Sequence, residues 1–84
     1  MALNLKHQTK AQLRNRLRVE YRNSSGERLA KIAHLILTFI EDGTYTDAQI
    51  KTEFGKDDAK YVIFKERLTK LRASWLEIRD AKGD

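Results

Sequence analysis

The chain has 84 residues, a formal net charge of +5, and neither cysteine nor proline. Its length allows one domain with a modest core, and the missing cysteines exclude disulfides, thiolate nucleophiles and thiolate metal sites. Hydrophobic residues make up 40% of the chain and charged residues 35%, a balance typical of helices that each bury one apolar stripe. We therefore predict an all-α fold in a single domain, residues 1–84, with frayed ends at residues 1–7 and 81–84.

The first predicted helix covers about residues 8–22. Leu13, Leu17 and Tyr21 are spaced four residues apart and form one narrow apolar stripe. Lysine and arginine occupy much of the remaining surface, and residues 1–31 as a whole carry a net charge of +6. Such a basic segment favours an anionic partner, although an ordinary solvated helix face is the alternative. Arginine pairs well with phosphate oxygens, so we predict a nucleic-acid-binding surface formed by Lys10, Arg14, Arg16, Arg18, Arg22, Arg28 and Lys31.

The second and third predicted helices are separated by Gly43. The second helix starts either with a capping box of Ser24 and Glu27 or with Ser25 as its N-cap, and it runs to about residue 42. It is the densest apolar segment and is predicted to be the central core helix. The third helix is short: it starts with a capping box of Thr46 and Gln49 and stops at Gly55.

The fourth predicted helix starts with Asp57 or Asp58 as its N-cap and runs to about residue 79 or 80. Its apolar residues follow spacings of three and four, which is a heptad seam. A helix of this length spans on the order of 35 Å, which is more than a small core needs. We expect its C-terminal half to pack on the first helix or on another chain, through an interaction seam of Leu71, Trp75 and Ile78.

These elements predict one core shared by all four helices. Its predicted members are Leu29, Ile32, Leu35, Ile36, Phe39, Ile40, Ile50, Phe54, Tyr61, Phe64, Leu68 and Leu71. Three further residues are predicted to close one end of the core: Leu13, Leu17 and Trp75.

Residues 35–55 read LILTFIEDGTYTDAQIKTEFG: a core helix, a terminating glycine, a short helix and a turn glycine. Ile50 and Phe54 are the apolar pair of the short helix, and the next helix turns its apolar residues inward. Over about residues 35–71 this pattern resembles the helix-turn-helix and winged-helix superfamily of DNA-binding domains. The resemblance implies a helix-turn-helix-like centre in which the fourth helix is the reading helix.

The sequence departs from that superfamily at the start of the fourth helix. Asp57 and Asp58 lie at the end that normally approaches DNA, and their carboxylates would repel phosphate. The chain also stays helical after Leu71, where a winged domain forms strands. The resemblance therefore concerns the fold more than the function, and the basic first helix is the better candidate for phosphate contacts.

No residue pattern predicts an active site. His7 and His34 are far apart, and His34 is expected at the border of the core. The acidic residues flank helix ends, where capping explains them, and no phosphate loop or metal-ligand spacing occurs. We expect no enzymatic activity, no cofactor, no metal and no small-molecule substrate.

The segment MALNLKHQTK becomes polar after five residues, unlike a signal peptide, and the apolar stretch of residues 32–40 is too short for a membrane span. A cytoplasmic location without a membrane partner is therefore expected, since a small secreted domain would often need disulfides. The leading functional prediction is a nucleic-acid-binding or regulatory protein with DNA or RNA as its partner. The alternative is a protein-interaction module or homodimer that acts through the fourth helix.

Overall fold

The structure, a computed structural model, describes residues 9–81. Within that range it contains four helices and no strands: α1 (Lys10–Asn23), α2 (Gly26–Glu41), α3 (Asp47–Glu53) and α4 (Asp58–Ala81). The predicted all-α fold with four helices is confirmed. Residues 1–7 and 82–84, predicted to be frayed, lie outside the described residues, whereas residue 81 is the last residue of α4.

Two helices begin with the same local hydrogen-bonding motif. The hydroxyl of Thr9 accepts a bond from the backbone N–H of Gln12 (3.1 Å), whose side chain accepts one from the N–H of Thr9 (3.0 Å). Thr46 and Gln49 form the same capping box at the start of α3, as predicted. Each box satisfies two N–H groups that the first turn of a helix leaves unpaired, so both helices start at a defined residue.

At the starts of α2 and α4, one of the two predicted N-cap residues is observed in each case. Ser24 is the C-cap of α1 and Ser25 is the N-cap of α2, so the capping box predicted for Ser24 and Glu27 is wrong. It fails because α2 begins at Gly26, one residue too late for Ser24 to be its N-cap, and the side chain of Ser25 makes no capping hydrogen bond. At α4 the cap is Asp57, whose Oδ1 accepts a bond from the backbone N–H of Lys60 (2.8 Å).

A tight turn at Gly55 joins α3 to α4. Gly55 has φ +64°, in the left-handed region that other residues avoid. Its N–H donates to the carbonyl of Thr52 (3.2 Å), and the next N–H, of Lys56, donates to the carbonyl of Lys51 (3.0 Å). The turn therefore satisfies carbonyl groups at the end of α3 while it reverses the chain. The helices occur in the predicted order, and the helix-turn-helix geometry itself stays a prediction.

The core lies where α2 packs against α4 and α1. Because two helices cover α2, its buried surface is wider than one stripe and includes Ala33 and Leu37 as well as the predicted residues. Leu29 and Trp75, by contrast, are half-buried and lie outside the core cluster. The predicted core residues that are buried are Leu13, Leu17, Ile32, Ile36, Ile50, Tyr61, Phe64 and Leu68. Those that are half-buried and packed against them are Leu35, Phe39, Ile40, Phe54 and Leu71.

Tyr45 is a core residue that the sequence did not indicate. It lies in the loop between α2 and α3, yet its side chain is only 1% exposed. Its hydroxyl donates a hydrogen bond to the carbonyl of Lys10 (2.6 Å), and its ring meets that of Phe39 edge-on at 5.9 Å. The loop is therefore fastened to the start of α1 and to the end of α2.

The C-terminal half of α4 lies beside α2, where Arg72 Nη1 donates to Glu41 Oε2 at the end of α2 (2.7 Å). Trp75 contacts Lys31, whose ammonium group is 5.8 Å from the centre of the indole ring. Trp75 was predicted to pack on the first helix or on another chain. In the structure it packs against Lys31 of α2. Within residues 9–81, no helix combines the length and the apolar character that crossing a membrane requires.

Candidate functional site

Two arginines of the predicted phosphate-binding surface are engaged by an acid of α3. Glu53 accepts hydrogen bonds from Arg14 Nε (3.0 Å) and Arg18 Nε (3.1 Å), one at each carboxylate oxygen. Partial burial would by itself raise the pKa of Glu53, but the bonds from the two arginines bring that pKa below its ordinary value. These two arginines thus fasten α1 to α3.

A second acid, Glu20 of α1, engages Arg28 of α2. Arg28 Nη2 donates to Glu20 Oε2 (2.5 Å), and this bond lowers the pKa of Glu20, although burial acts in the opposite direction. The charge of Arg16, which is half-buried, acts on Glu20 in the same direction. Four of the seven predicted phosphate-binding residues therefore lie close to a carboxylate of this chain.

The remaining three are exposed and form no ion pair among residues 9–81, but they lie in different places. Lys10 is the first residue of α1, next to the loop that carries Tyr45. Lys31 lies on α2 against Trp75. Arg22, in the last turn of α1, faces a groove that α1 forms with the α3–α4 turn. Arg22 thus adjoins several further basic residues in a cavity, whereas the pocket beside Lys31 also contains the acid Glu27.

That groove, which we call the cationic groove, has a volume of about 450 Å³ and continues into a smaller recess of about 200 Å³ along α4. The main part is lined by Arg18, Tyr21, Arg22, Glu53, Phe54, Gly55, Lys56 and Phe64. The recess shares three of these residues and adds Lys60, Ile63 and Arg67. The groove therefore has residues from α1, the turn and α4.

Aromatic rings form the apolar part of the cationic groove. Tyr21 lies edge-on to Phe54 (5.8 Å between ring centres) and to Phe64 (5.5 Å). The Tyr21 hydroxyl is buried and has no hydrogen-bond partner in the described part of the chain, and burial raises its pKa. Two cations flank the rings: the Lys56 ammonium is 5.6 Å from the centre of Phe64, and the Arg67 guanidinium is 5.9 Å from that of Tyr21.

Four cations of the groove lack an acidic partner. Arg22, Lys56, Lys60 and Arg67 form no ion pair with any residue between Thr9 and Ala81, and three of them are exposed. The one carboxylate that lines the groove, that of Glu53, already accepts bonds from Arg14 and Arg18. The groove consequently presents unbalanced positive charge above an apolar floor.

The two acids at the start of α4 have structural partners. Asp57 caps the helix, as described above, and Asp58 accepts a bond from Lys51 Nζ (2.5 Å). Hydrogen bonding to Lys51 lowers the pKa of Asp58. Both carboxylates are exposed. The start of α4 therefore carries two negative charges, with the basic residues Lys56 and Lys60 on either side of them in the chain.

The predicted interaction seam is only partly covered. Leu71, Trp75 and Ile78 are all half-buried, and Leu71 packs against the core. Trp75 lines a separate shallow pocket with Glu27, Arg28 and Lys31. The seam and the cationic groove share no residue, so each can be altered without changing the other.

Potential metal and catalytic groups are dispersed in the described part of the chain. No three His, Asp or Glu residues between Thr9 and Ala81 come together as metal ligands would. His34 is half-buried at the border of the core, with Nδ1 buried and without a partner there. Burial, aided by the charges of Arg79 and Arg72, lowers the pKa of His34. These features describe a border residue whose charged form is disfavoured.

The sequence prediction missed three cations of the groove: Lys56, Lys60 and Arg67. Their signal was weak, because Lys56 and Lys60 flank two aspartates and Arg67 follows Glu66. Only the fold brings them next to the end of α1. Ile63, which is 66% exposed beside them, was visible as an apolar residue outside the heptad seam.

Comparison of the chain with protein-family models, with curated proteins and with solved structures finds no match.

Proposed function

We propose that this protein binds nucleic acid through phosphate contacts at the cationic groove. The observation that carries the proposal is the convergence of Arg22, Lys56, Lys60 and Arg67, from three segments of the chain, without an ion-pair partner among residues 9–81. Unpaired lysine and arginine side chains on one surface give salt-dependent affinity for phosphates. The proposal moves the contact surface from the whole of α1 to its C-terminal end and to α4.

Glu53 supports this shift of surface. Because Arg14 and Arg18 already donate to its carboxylate, a phosphate would have to compete with an intramolecular partner for both guanidinium groups. Arg22 and Lys60 have no such competitor among the described residues. We therefore assign the first phosphate contacts to Arg22 and Lys60, and secondary contacts to Arg18.

The test is fluorescence anisotropy of a labelled random-sequence duplex and of one of its strands, titrated with protein at low and moderate salt. We expect affinity that falls as salt rises, with a log–log slope that decreases by about 0.9 for each duplex phosphate contact removed. Replacing Arg22 and Lys60 together by glutamine should reduce the duplex slope by about 2. Both side chains are exposed, so circular dichroism should show an unchanged fold.

The matched control replaces Lys31 and Arg79 by glutamine. It removes the same amount of charge from exposed positions outside the groove. Equal weakening in both double variants would mean that overall charge, not the cationic groove, holds the nucleic acid. Absence of binding by the unaltered protein at low salt would disprove the proposal.

A second candidate function is self-association or protein binding through the seam on α4. The observation that favours it is Trp75, a half-buried indole outside the core cluster with a shallow pocket beside it. Sedimentation equilibrium over a wide range of protein concentrations tests the homodimer, with Trp75→Ala as the variant. A monomer at the highest concentration would exclude self-association.

A further inference from the structure

We infer that the cationic groove holds an unstacked base, so that the protein prefers single-stranded nucleic acid to duplex. This inference rests on the proposed function and adds to it the class of nucleic acid. It is carried by the combination, in one concave site, of unpaired cations with an apolar floor that a phosphate alone would not need.

The composition of the groove matches the two chemical parts of a nucleotide. Its cations suit the phosphate, whereas the half-buried rings of Tyr21 and Phe54 provide aromatic surface for a flat base. Arg67 adds a guanidinium plane on which a base can stack. The volume of about 450 Å³ lies in the range of pockets that enclose small organic groups.

The exposed side chain of Ile63 is the second observation. Ile63 is 66% exposed although it is a large aliphatic residue, and it lines the recess next to Lys60 and Arg67. An aliphatic side chain contributes nothing to a phosphate contact but contributes apolar contact area to a base. The hydroxyl of Tyr21, which also lines the groove, is buried and has no hydrogen-bond partner in residues 9–81.

The start of α4 disfavours a duplex. Asp57 and Asp58 are exposed at the end of the helix that carries Lys60. A rigid duplex that lies across the groove would bring a second row of phosphates towards these carboxylates, whereas one flexible strand can follow the cations alone. A base inside a duplex is also stacked and paired, and taking it out costs free energy that a single strand does not lose.

The experiment compares three labelled probes with the full chain: an oligothymidylate of about 12 nucleotides, a strand of equal length and charge without bases, and a duplex. We expect the oligothymidylate to bind about tenfold more tightly than the abasic strand, since stacking of one base on an aromatic surface has that magnitude. It should also bind more tightly than the duplex at the same salt concentration. All three affinities should fall as salt rises.

Two neighbouring residues of α4 provide a matched pair of variants. Ile63→Ala should weaken binding of the oligothymidylate and leave binding of the abasic strand unchanged. Val62→Ala should change neither, because Val62 is comparably exposed (59%) but does not line the groove. Since both side chains are exposed, neither substitution should unfold the protein. In nuclear magnetic resonance spectra of the original protein, the methyl signals of Ile63 should shift on addition of the oligothymidylate and not on addition of the abasic strand.

The possible failures are distinguishable. Equal affinity for the oligothymidylate and the abasic strand, with steep salt dependence, would overturn the base-binding inference and leave the phosphate-binding proposal intact. Tighter binding of the duplex would also overturn it. Failure to bind any of the three probes at low salt would overturn both proposals and would direct attention to an acidic peptide as the occupant of the groove.

Discussion

At the scale of single residues, Glu53 links stability to the surface charge of α1. Its two carboxylate oxygens are occupied by Arg14 and Arg18, and all three side chains are less than a third exposed. The pair of bonds joins α1 to α3 across a sequence separation of 39 residues for Arg14. The single negative charge of Glu53 also offsets one of the two positive charges, so the charge available to a ligand is smaller than the sequence indicates.

Glu53→Gln should therefore lower stability and raise affinity for nucleic acid. The substitution removes the charge that holds both arginines, at a cost of about 1 kcal/mol in the free energy of unfolding, since the bridge is partly solvated. Urea denaturation measures the first effect and anisotropy titration the second. Glu66→Gln is the control, because Glu66 is exposed on α4 and forms no ion pair within residues 9–81. An affinity gain as large in the control would contradict the idea that Glu53 restrains the arginines.

The burial and the partners of single side chains could not be predicted where they depend on contacts between distant segments of the chain. Tyr45 has no helical periodicity around it, so nothing local marks it as buried, yet it lies between Phe39 and the start of α1. Arg14 and Arg18 both lie on α1, the predicted first helix. Their engagement by Glu53 depends on the docking of α3, which no local signal specifies.

At the scale of helices, local signals were largely sufficient. The capping box of Thr46 and Gln49, the glycine turn and the aspartate cap of α4 are formed as predicted. Each depends on residues within four positions of one another, and so it can be read from the sequence. The capping box of α1 was not among the predictions, although Thr9 and Gln12 have the required spacing.

Asp57 and Asp58 provide a test of the helix-cap assignment. Asp57→Ala should destabilise the protein by about 1 kcal/mol, because it removes the acceptor for the N–H of Lys60. Asp58→Ala should have a smaller effect, since its side chain is 91% exposed and its ion pair with Lys51 is solvated. Thermal unfolding followed by circular dichroism compares the two, and Asp57→Asn should retain most of the stability of the original protein. A larger loss for Asp58→Ala would reverse the assignment.

At the scale of the whole molecule, ion pairs and hydrogen bonds connect elements that share little apolar contact. Glu53 joins α3 to α1, and Asp47, at the start of α3, accepts bonds from Tyr61 (2.5 Å) and Lys65 (3.0 Å) of α4. The short helix α3 buries only Ile50, so polar contacts hold both of its ends. A helix of 7 residues has little intrinsic stability and depends on such contacts for its position.

These bridges predict that the fold loses stability in acid. Hydrogen bonds from Tyr61 and Lys65 lower the pKa of Asp47, and those from Arg14 and Arg18 outweigh burial to lower the pKa of Glu53. A carboxyl group whose pKa is lower in the folded state contributes stability above its unfolded pKa, and this contribution is lost as the pH falls through the folded pKa. We therefore expect a plateau of stability near neutral pH and a decline below about pH 4.5.

The decline should begin with the docking of α3. Glu53 is the less exposed of the two acids (17% against 57% for Asp47), so solvent weakens its bridge less, and removing its charge should remove a measurable part of the loss. Melting temperatures measured from neutral to acidic pH should consequently fall less in Glu53→Gln than in the original protein, whereas Glu66→Gln should follow the original curve. If the melting temperature of Glu53→Gln falls with pH as steeply as that of the original protein, other groups cause the acid sensitivity. If the melting temperature of the original protein does not change with pH, the bridges add nothing to its stability.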